Sequence, residues 1–194
     1  IDPSTGPKQE YVTLTGTNFG GSIGTVRFKN KTSGQEALGD TAFPAACTEG
    51  YWKETNVIVK VPNSFITAGA VTAGDYAVRL IRSDAVESNE VNFTVTGGTP
   101  KPGICAISPT VGPLGTSVTV TGEHFSGTTG AITFQSSISA VAGSWANTEI
   151  KTSVPTGAVT GPMKVNANGQ DSNSINFQVR NCNEQAGVCS QNEQ

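Results

Sequence analysis

The sequence predicts an all-β chain made of two tandem antiparallel β-sandwiches. Three observations carry that expectation: a composition of turn and strand residues, an internal repeat, and short segments of period-two alternation. Of 194 residues, 36% are hydrophobic and 14% charged, with 23 Gly, 10 Pro and abundant Thr, Ser and Asn. Such a mixture favours strands and turns over helices. The length suits two domains of about 90–100 residues, each with its own core.

The repeat is the strongest of the three. Residues 1–30 align without a gap onto residues 107–136, with twelve identities concentrated on Gly, Pro and aromatic positions. They include Pro3/Pro109, Gly6/Gly112, Pro7/Pro113, Gly16/Gly122, Phe19/Phe125 and Phe28/Phe134. After length changes the match resumes. Trp52-x-x-Thr55 leading to Val61-Pro62 returns as Trp145-x-x-Thr148 leading to Val154-Pro155, and Ser88-Asn89-x-x-Asn92-Phe93 as Ser172-Asn173-x-x-Asn176-Phe177. This divides the chain into unit one (1–96), a Gly/Thr/Pro-rich linker (97–104), unit two (105–180) and a cysteine-containing tail (181–194).

Each unit reads as short alternating strands. The inward positions of unit one are Val12/Leu14, Val26/Phe28, Val57/Val59/Val61, Tyr76/Val78/Leu80 and Val91/Phe93/Val95. Those of unit two are Val118/Val120, Ile132/Phe134, Ile150/Val154, Met163/Val165 and Ile175/Phe177/Val179, with Thr13, Thr15, Thr119 and Thr121 facing outward. About seven strands per unit, broken by Gly and Pro, define a sandwich. Gly16 and Gly122 each end a strand, where the Phe three residues on is expected to fold back into the core.

The strings IDPSTGP…VTLTGTNFG…GTVRF and ISPTVGP…VTVTGEHFSG…AITF each lead to a Trp, a strand ending in Val-Pro and SN-x-x-x-F-x-V. Together they resemble the IPT/TIG domain family, over residues 1–95 and 107–179. The resemblance implies an immunoglobulin-like sandwich of the E-set type found in plexins and some transcription factors. It also implies a stalk or interaction module in cell-surface proteins and some glucan-active enzymes, with no catalytic residues to transfer. Fold by itself does not dictate function.

The remaining residues set limits. A net charge of −3 and a pI near 5.1 argue against nucleic acid and supply no polybasic membrane anchor. No stretch of 18 apolar residues is present, so no membrane insertion is expected of this segment. With neither an initiator Met nor a leader, the chain reads as processed or as a piece of a longer one. His124 has no ligand or catalytic partner at useful spacing, its equivalent being Asn18, and no GxSxG occurs. Neither a cofactor nor catalysis is expected. The glycines near 20–24 and 127–130 precede no helix, which excludes a phosphate-binding loop. Trp52 and Trp145, at matched positions, suit packing, with stacking on a sugar ring as the competing role.

Four cysteines without a CxxC suit disulfides in an oxidising compartment, free buried thiols being the alternative. Unit one is enlarged twice over its twin, by 13 residues between Phe28 and Trp52 and by 6 between Pro62 and Tyr76. In such a sandwich both loops lie at the pole opposite the domain's N-terminus. Both are therefore expected to buttress unit two. Of three possible pairings, strand polarity disfavours Cys105–Cys182. With Cys47 in the first enlargement and Cys105 at the entry of unit two, the expected pairing is Cys47–Cys105 as an interdomain staple, with Cys182–Cys189 closing a loop in the tail.

Unit two is also poor in charge, with four basic and three acidic residues over 101–180 against eight and ten over 1–96. Either it is covered by neighbours or glycans, or its Thr, Ser and Asn suffice for solubility. The function expected is that of a non-catalytic extracellular or cell-surface protein, structural or adhesive. It would act as a spacer or subunit of a fibre, layer or stalk, with protein partners or self-assembly. The alternative is a carbohydrate-binding accessory module of a larger polysaccharide-active enzyme.

Overall fold

The computed structural model describes residues 1–47 and 51–180. Unit one is a two-layer sandwich. Its larger sheet runs in the order β1 (Thr5–Gly6), β7 (Val91–Val95), β6 (Gly74–Ile81), β3 (Thr25–Asn30) and β4 (Glu36–Leu38), with β1 parallel to β7. Facing it is an antiparallel ribbon of β2 (Tyr11–Thr15) and β5 (Asn56–Lys60). Asp2 extends that ribbon through paired backbone hydrogen bonds with Thr13 at 2.8 and 2.9 Å.

Unit two repeats the plan. One sheet orders β13 (Ala142–Trp145), β14 (Glu149–Ser153), β10 (Ser117–Glu123) and β8 (Gly103–Ser108). The other orders β12 (Ile138–Ala140), β11 (Ala131–Phe134), β15 (Gly161–Ala167), β17 (Ile175–Val179) and β9 (Val111–Gly112), and β16 (Gln170–Asp171) pairs with β15. Both units are immunoglobulin-like, all-β sandwiches. Strand β8 begins at Gly103, inside the expected 97–104 linker, because Gly103 and Ile104 already pair with Glu123 and Gly122.

The alternating positions fill the cores. Val12, Leu14, Val26, Phe28, Val57, Val59, Val78 and Phe93 form one buried cluster, and Val118, Val120, Ile132, Phe134, Ile150, Met163, Val165 and Phe177 lie in another. Phe28 meets Phe93 edge-on at 5.8 Å, and the equivalent pair Phe134 and Phe177 does so at 5.7 Å. Such aromatic pairs add about 0.5–1.5 kcal/mol beyond their buried area. A β-carbon on Gly16 or Gly122 would run into the ring of Phe19 or Phe125, which explains both glycines.

The two enlargements of unit one behave differently. The first carries Phe43, Cys47 and Tyr51 onto the core of unit two. The second does not reach unit two, contrary to the expectation that both would act as buttresses. Its Phe65 and Val71 are apolar and find cover in unit one's own core, where Phe65 stacks on Tyr76 at 6.5 Å.

On the outer face of the larger sheet, Arg27 and Arg79 sit directly opposite each other on β3 and β6. Like charges so placed repel. Glu36 on β4 resolves the conflict, accepting from Arg27 at 2.6 Å and from Arg79 at 2.8 Å. The Arg27 hydrogen bond, assisted by Arg79, holds the Glu36 carboxyl below its ordinary pKa. Its contribution to stability is therefore complete above the unfolded pKa of about 4.3 and is lost as pH falls through the folded value. Glu36→Gln should lower stability by about 1–3 kcal/mol at neutral pH. Urea unfolding should show variant and parent converging in acid.

Candidate functional site: the joint between the sandwiches

A surface ribbon of a two-layer sandwich should be apolar on one face and wet on the other. The β2–β5 ribbon is not. Its inner face gives Val12, Leu14, Val57 and Val59 to unit one's core. Its outer face carries Tyr11, Thr13, Ile58 and Lys60, which are 0%, 3%, 1% and 7% exposed. Unit two covers them. Tyr11, Ile58 and Cys47 belong to the same apolar cluster as Ile104, Cys105 and Phe125.

The contact is close enough to require a glycine. A β-carbon on Gly103 would lie within the Tyr11 side chain, so strand β8 rests directly on that residue. Phe43 from the first enlargement packs beside it, 5.6 Å from Tyr11 and 5.2 Å from Tyr51 between ring centroids. Cys47 and Cys105, both fully buried, form a disulfide across the joint with their Cα atoms 5.6 Å apart.

Polar groups fix the register. The Asn173 side chain, fully buried, accepts from Ile104 N at 2.7 Å and donates to Ile104 O and Thr13 Oγ1, each at 2.9 Å. Thr13 Oγ1 donates in turn to Ser174 O at 2.8 Å. Asp2 accepts from Ser174 N at 2.8 Å and pairs with Lys164 at 3.3 Å. The Tyr11 phenol donates to Glu123, and burial followed by that carboxylate pushes its pKa up, so it remains a donor. Lys60 Nζ donates to Ala42 O at 2.7 Å, lies 3.6 Å from Glu123, and sits over the Tyr11 and Phe43 rings at 5.7 and 5.8 Å. A partly desolvated cation gains from such ring faces.

At the start of unit two, Glu10 accepts from Lys101 N at 3.0 Å through one carboxyl oxygen. Its other oxygen is buried without a partner. Burial raises the Glu10 pKa against the weaker opposing effect of Lys101.

Among the residues singled out from sequence, Cys47 and Cys105 meet in this joint, whereas Cys182 and Cys189 lie outside the described residues. Trp52 and Trp145 do not belong to it. Trp52 is 8% exposed in the unit-one core and donates to Phe19 O at 3.3 Å, so it has no free face for stacking. Trp145, half-buried, donates to Phe125 O at 2.8 Å in the same packing role. Sequence reasoning missed Tyr11, Ile58, Lys60 and Asn173. The available sign was an unequal repeat, since their ribbon counterparts in unit two are Ser117, Lys151 and Ser153. Among the described residues, no group of three or more His, Cys, Asp or Glu could hold a metal ion, and no helix is long and apolar enough to cross a membrane.

This combination of paired sheets and a shared joint defines a tandem sandwich module. The family model of the IPT/TIG domain matches residues 102–189, a stretch that includes unit two. No curated protein matches. Among solved structures, a surface glycan-binding protein from Prevotella bryantii is similar at 19% identity and TM-score 0.36, over 90% of this chain and 38% of its own. The γ-cyclodextrin glucanotransferase (Gamma-CGTASE) of alkalophilic Bacillus clarkii is similar at 18% identity and TM-score 0.39, over 53% of this chain and 17% of its own. The plexin A4 extracellular region is similar at 17% identity and TM-score 0.35, over 91% and 17%. The chain thus spans well under half the length of each, and nothing about its own ligands follows from them.

Two outcomes are expected of the joint. Asn173→Ala leaves the Ile104 backbone groups unpaired in a dry site and should cost about 2–4 kcal/mol. The matching change at exposed Asn89 should stay within about 0.5 kcal/mol in parallel denaturant titrations. Glu10→Gln should raise stability at neutral pH, because burial disfavours the native carboxylate. A raised folded pKa means that this penalty grows as pH rises above about 4.3, so the gain should vanish in acid.

Proposed function

We propose that this chain is a non-catalytic extracellular structural module, a rigid two-sandwich spacer that holds neighbouring parts of a surface protein at a fixed separation and angle. The carrying observation is the apolar cluster that runs without a break from Tyr11, Ile58 and Cys47 into the centre of unit two. Domains joined only by a short linker normally hinge. A fully buried joint with a disulfide and buried hydrogen bonds opposes that motion. The disulfide also supports placement in an oxidising, extracellular compartment. Protein partners, whether copies of the chain or other surface proteins, fit such a spacer. The accessory-module reading receives no support from Trp52 and Trp145, whose indoles are engaged in packing.

Small-angle X-ray scattering tests the spacer. The parent profile should fit one conformer at all temperatures below unfolding. A profile that requires a spread of interdomain angles would remove the proposal. The disulfide closes a separation of 58 residues, so Cys47→Ser/Cys105→Ser should lose about 2–4 kcal/mol. Its scattering should nonetheless match the parent, because Asn173, Tyr11 and Ile58 remain.

A further inference from the structure

We infer that unit one carries a binding site for a neutral saccharide, in a groove that its two enlargements build together and that unit two lacks. The groove has a volume of about 490 Å³ and lies between the turn after β3 and the segment before β6. Small-ligand sites commonly have volumes of this order. The two walls are tied together by Ile66 N donating to Glu36 O at 2.8 Å. The floor is Phe65, stacked on Tyr76.

Unit two supplies an internal control. Gly74 and Gly161 occupy the same place, each opening its strand two residues before a core side chain, and both have positive φ. A β-carbon at Gly161 would meet Gln135 Cβ and Cγ at 2.8 Å, so in unit two this space is filled. At Gly74 the nearest atom would be Asn30 Nδ2, 4.0 Å away. At Gly69, on the same wall, a β-carbon would meet nothing. The additional residues of unit one therefore hold the groove open rather than closing it.

The lining determines the ligand class. It contains no ionisable side chain, in contrast to the interdomain depression lined by Asp2, Lys101, Lys164 and Asp171. Its polar groups are the hydroxyls of Thr32, Ser33 and Thr72 and the amides of Asn30 and Gln35. Asn30 is only 6% exposed, and its Oδ1 accepts from Thr32 N and Ser33 N, each at 2.9 Å. Its Nδ2 makes no hydrogen bond to any described residue and faces Gly74 across the groove. That leaves a fixed donor open to the groove. Uncharged donors and acceptors around an apolar floor match the hydroxyls and the C–H face of a sugar ring, and offer no counter-charge to an acidic one.

The test uses the full chain, isotope-labelled for NMR and titrated to the tens of millimolar. The probes are D-glucose, D-galactose, D-mannose, D-xylose, cellobiose and maltose, with D-glucuronate as the charged control. At least one neutral sugar should shift the amide resonances of residues 30–36 and 63–74 and leave those of 135–137 and 156–161 in place. Gln35→Leu and Thr72→Val should each weaken that binding about threefold to tenfold, the loss of one net hydrogen bond. Ala68→Trp should block it while core resonances stay unmoved. No response to any neutral sugar, equal or tighter binding of glucuronate, or unchanged affinity in all three variants would overturn the assignment. The outcome is independent of the spacer reading, which rests on the joint.

Discussion

The β2–β5 ribbon is buried on both faces, and the arrangement of the two units follows from that. Layered domains bury one face of each sheet and leave the other to water. Here the second face also needs cover, and a lone first unit would expose Tyr11 and Ile58. Each such side chain is worth about 1.5–3 kcal/mol when buried. Unit two is in effect a further layer on the first. The repeat reads as two folds and hides the face that they share.

The same interaction makes the pair directional. Where unit one offers Tyr11, Ile58 and Lys60, unit two offers Ser117, Lys151 and Ser153 on strands of the same topology. A further copy would not find the same apolar seat on the equivalent ribbon of unit two. The Ser-Asn motif divides in the complementary sense. Ser88 and Ser172 make the same local bonds, each accepting from a strand amide and donating to the carbonyl of the next residue. The next residue, however, is exposed at Asn89 and fully buried at Asn173. Head-to-tail contacts that repeat make open filaments. This one uses a face that only the first unit possesses, and so within the pair it stops at two.

Much of the fold was legible in the sequence, and the reason is local. Period-two alternation, glycines under Phe19 and Phe125, and the Trp-to-Pro spacing depend on neighbours within one unit, and the repeat reports each of them twice. The joint was less legible. Tyr11 and Ile58 occupy outward positions of well-formed strands, and nothing in the strand itself says whether an outward apolar residue is covered. The comparison with Ser117 and Lys151 did carry that information. Loops at the same pole are expected to serve one neighbour, which places both enlargements together. Phe65 and Val71 show instead that the second had apolar needs met at home. The groove follows from that division, and only the side chains packed around Gly74 and Gly161 separate an open cleft from a filled one.

The disulfide draws attention in such a joint, yet it does little to set the angle between the sandwiches. Its main effect is on the unfolded chain, by closing a long loop. Apolar contact is also tolerant of sliding, since Tyr11 and Ile58 would gain nearly as much from any dry neighbour. Orientation comes from groups that are costly when displaced. Asn173 must satisfy Ile104 and Thr13 together, Tyr11 must reach Glu123, and Lys60 must keep Ala42 and Glu123 within range. A shift of one strand register would strand several of these in an apolar setting at about 1–3 kcal/mol each. Buried hydrophobic area accounts for the strength of the joint, and the buried polar set accounts for its single geometry. The proposed spacer needs both.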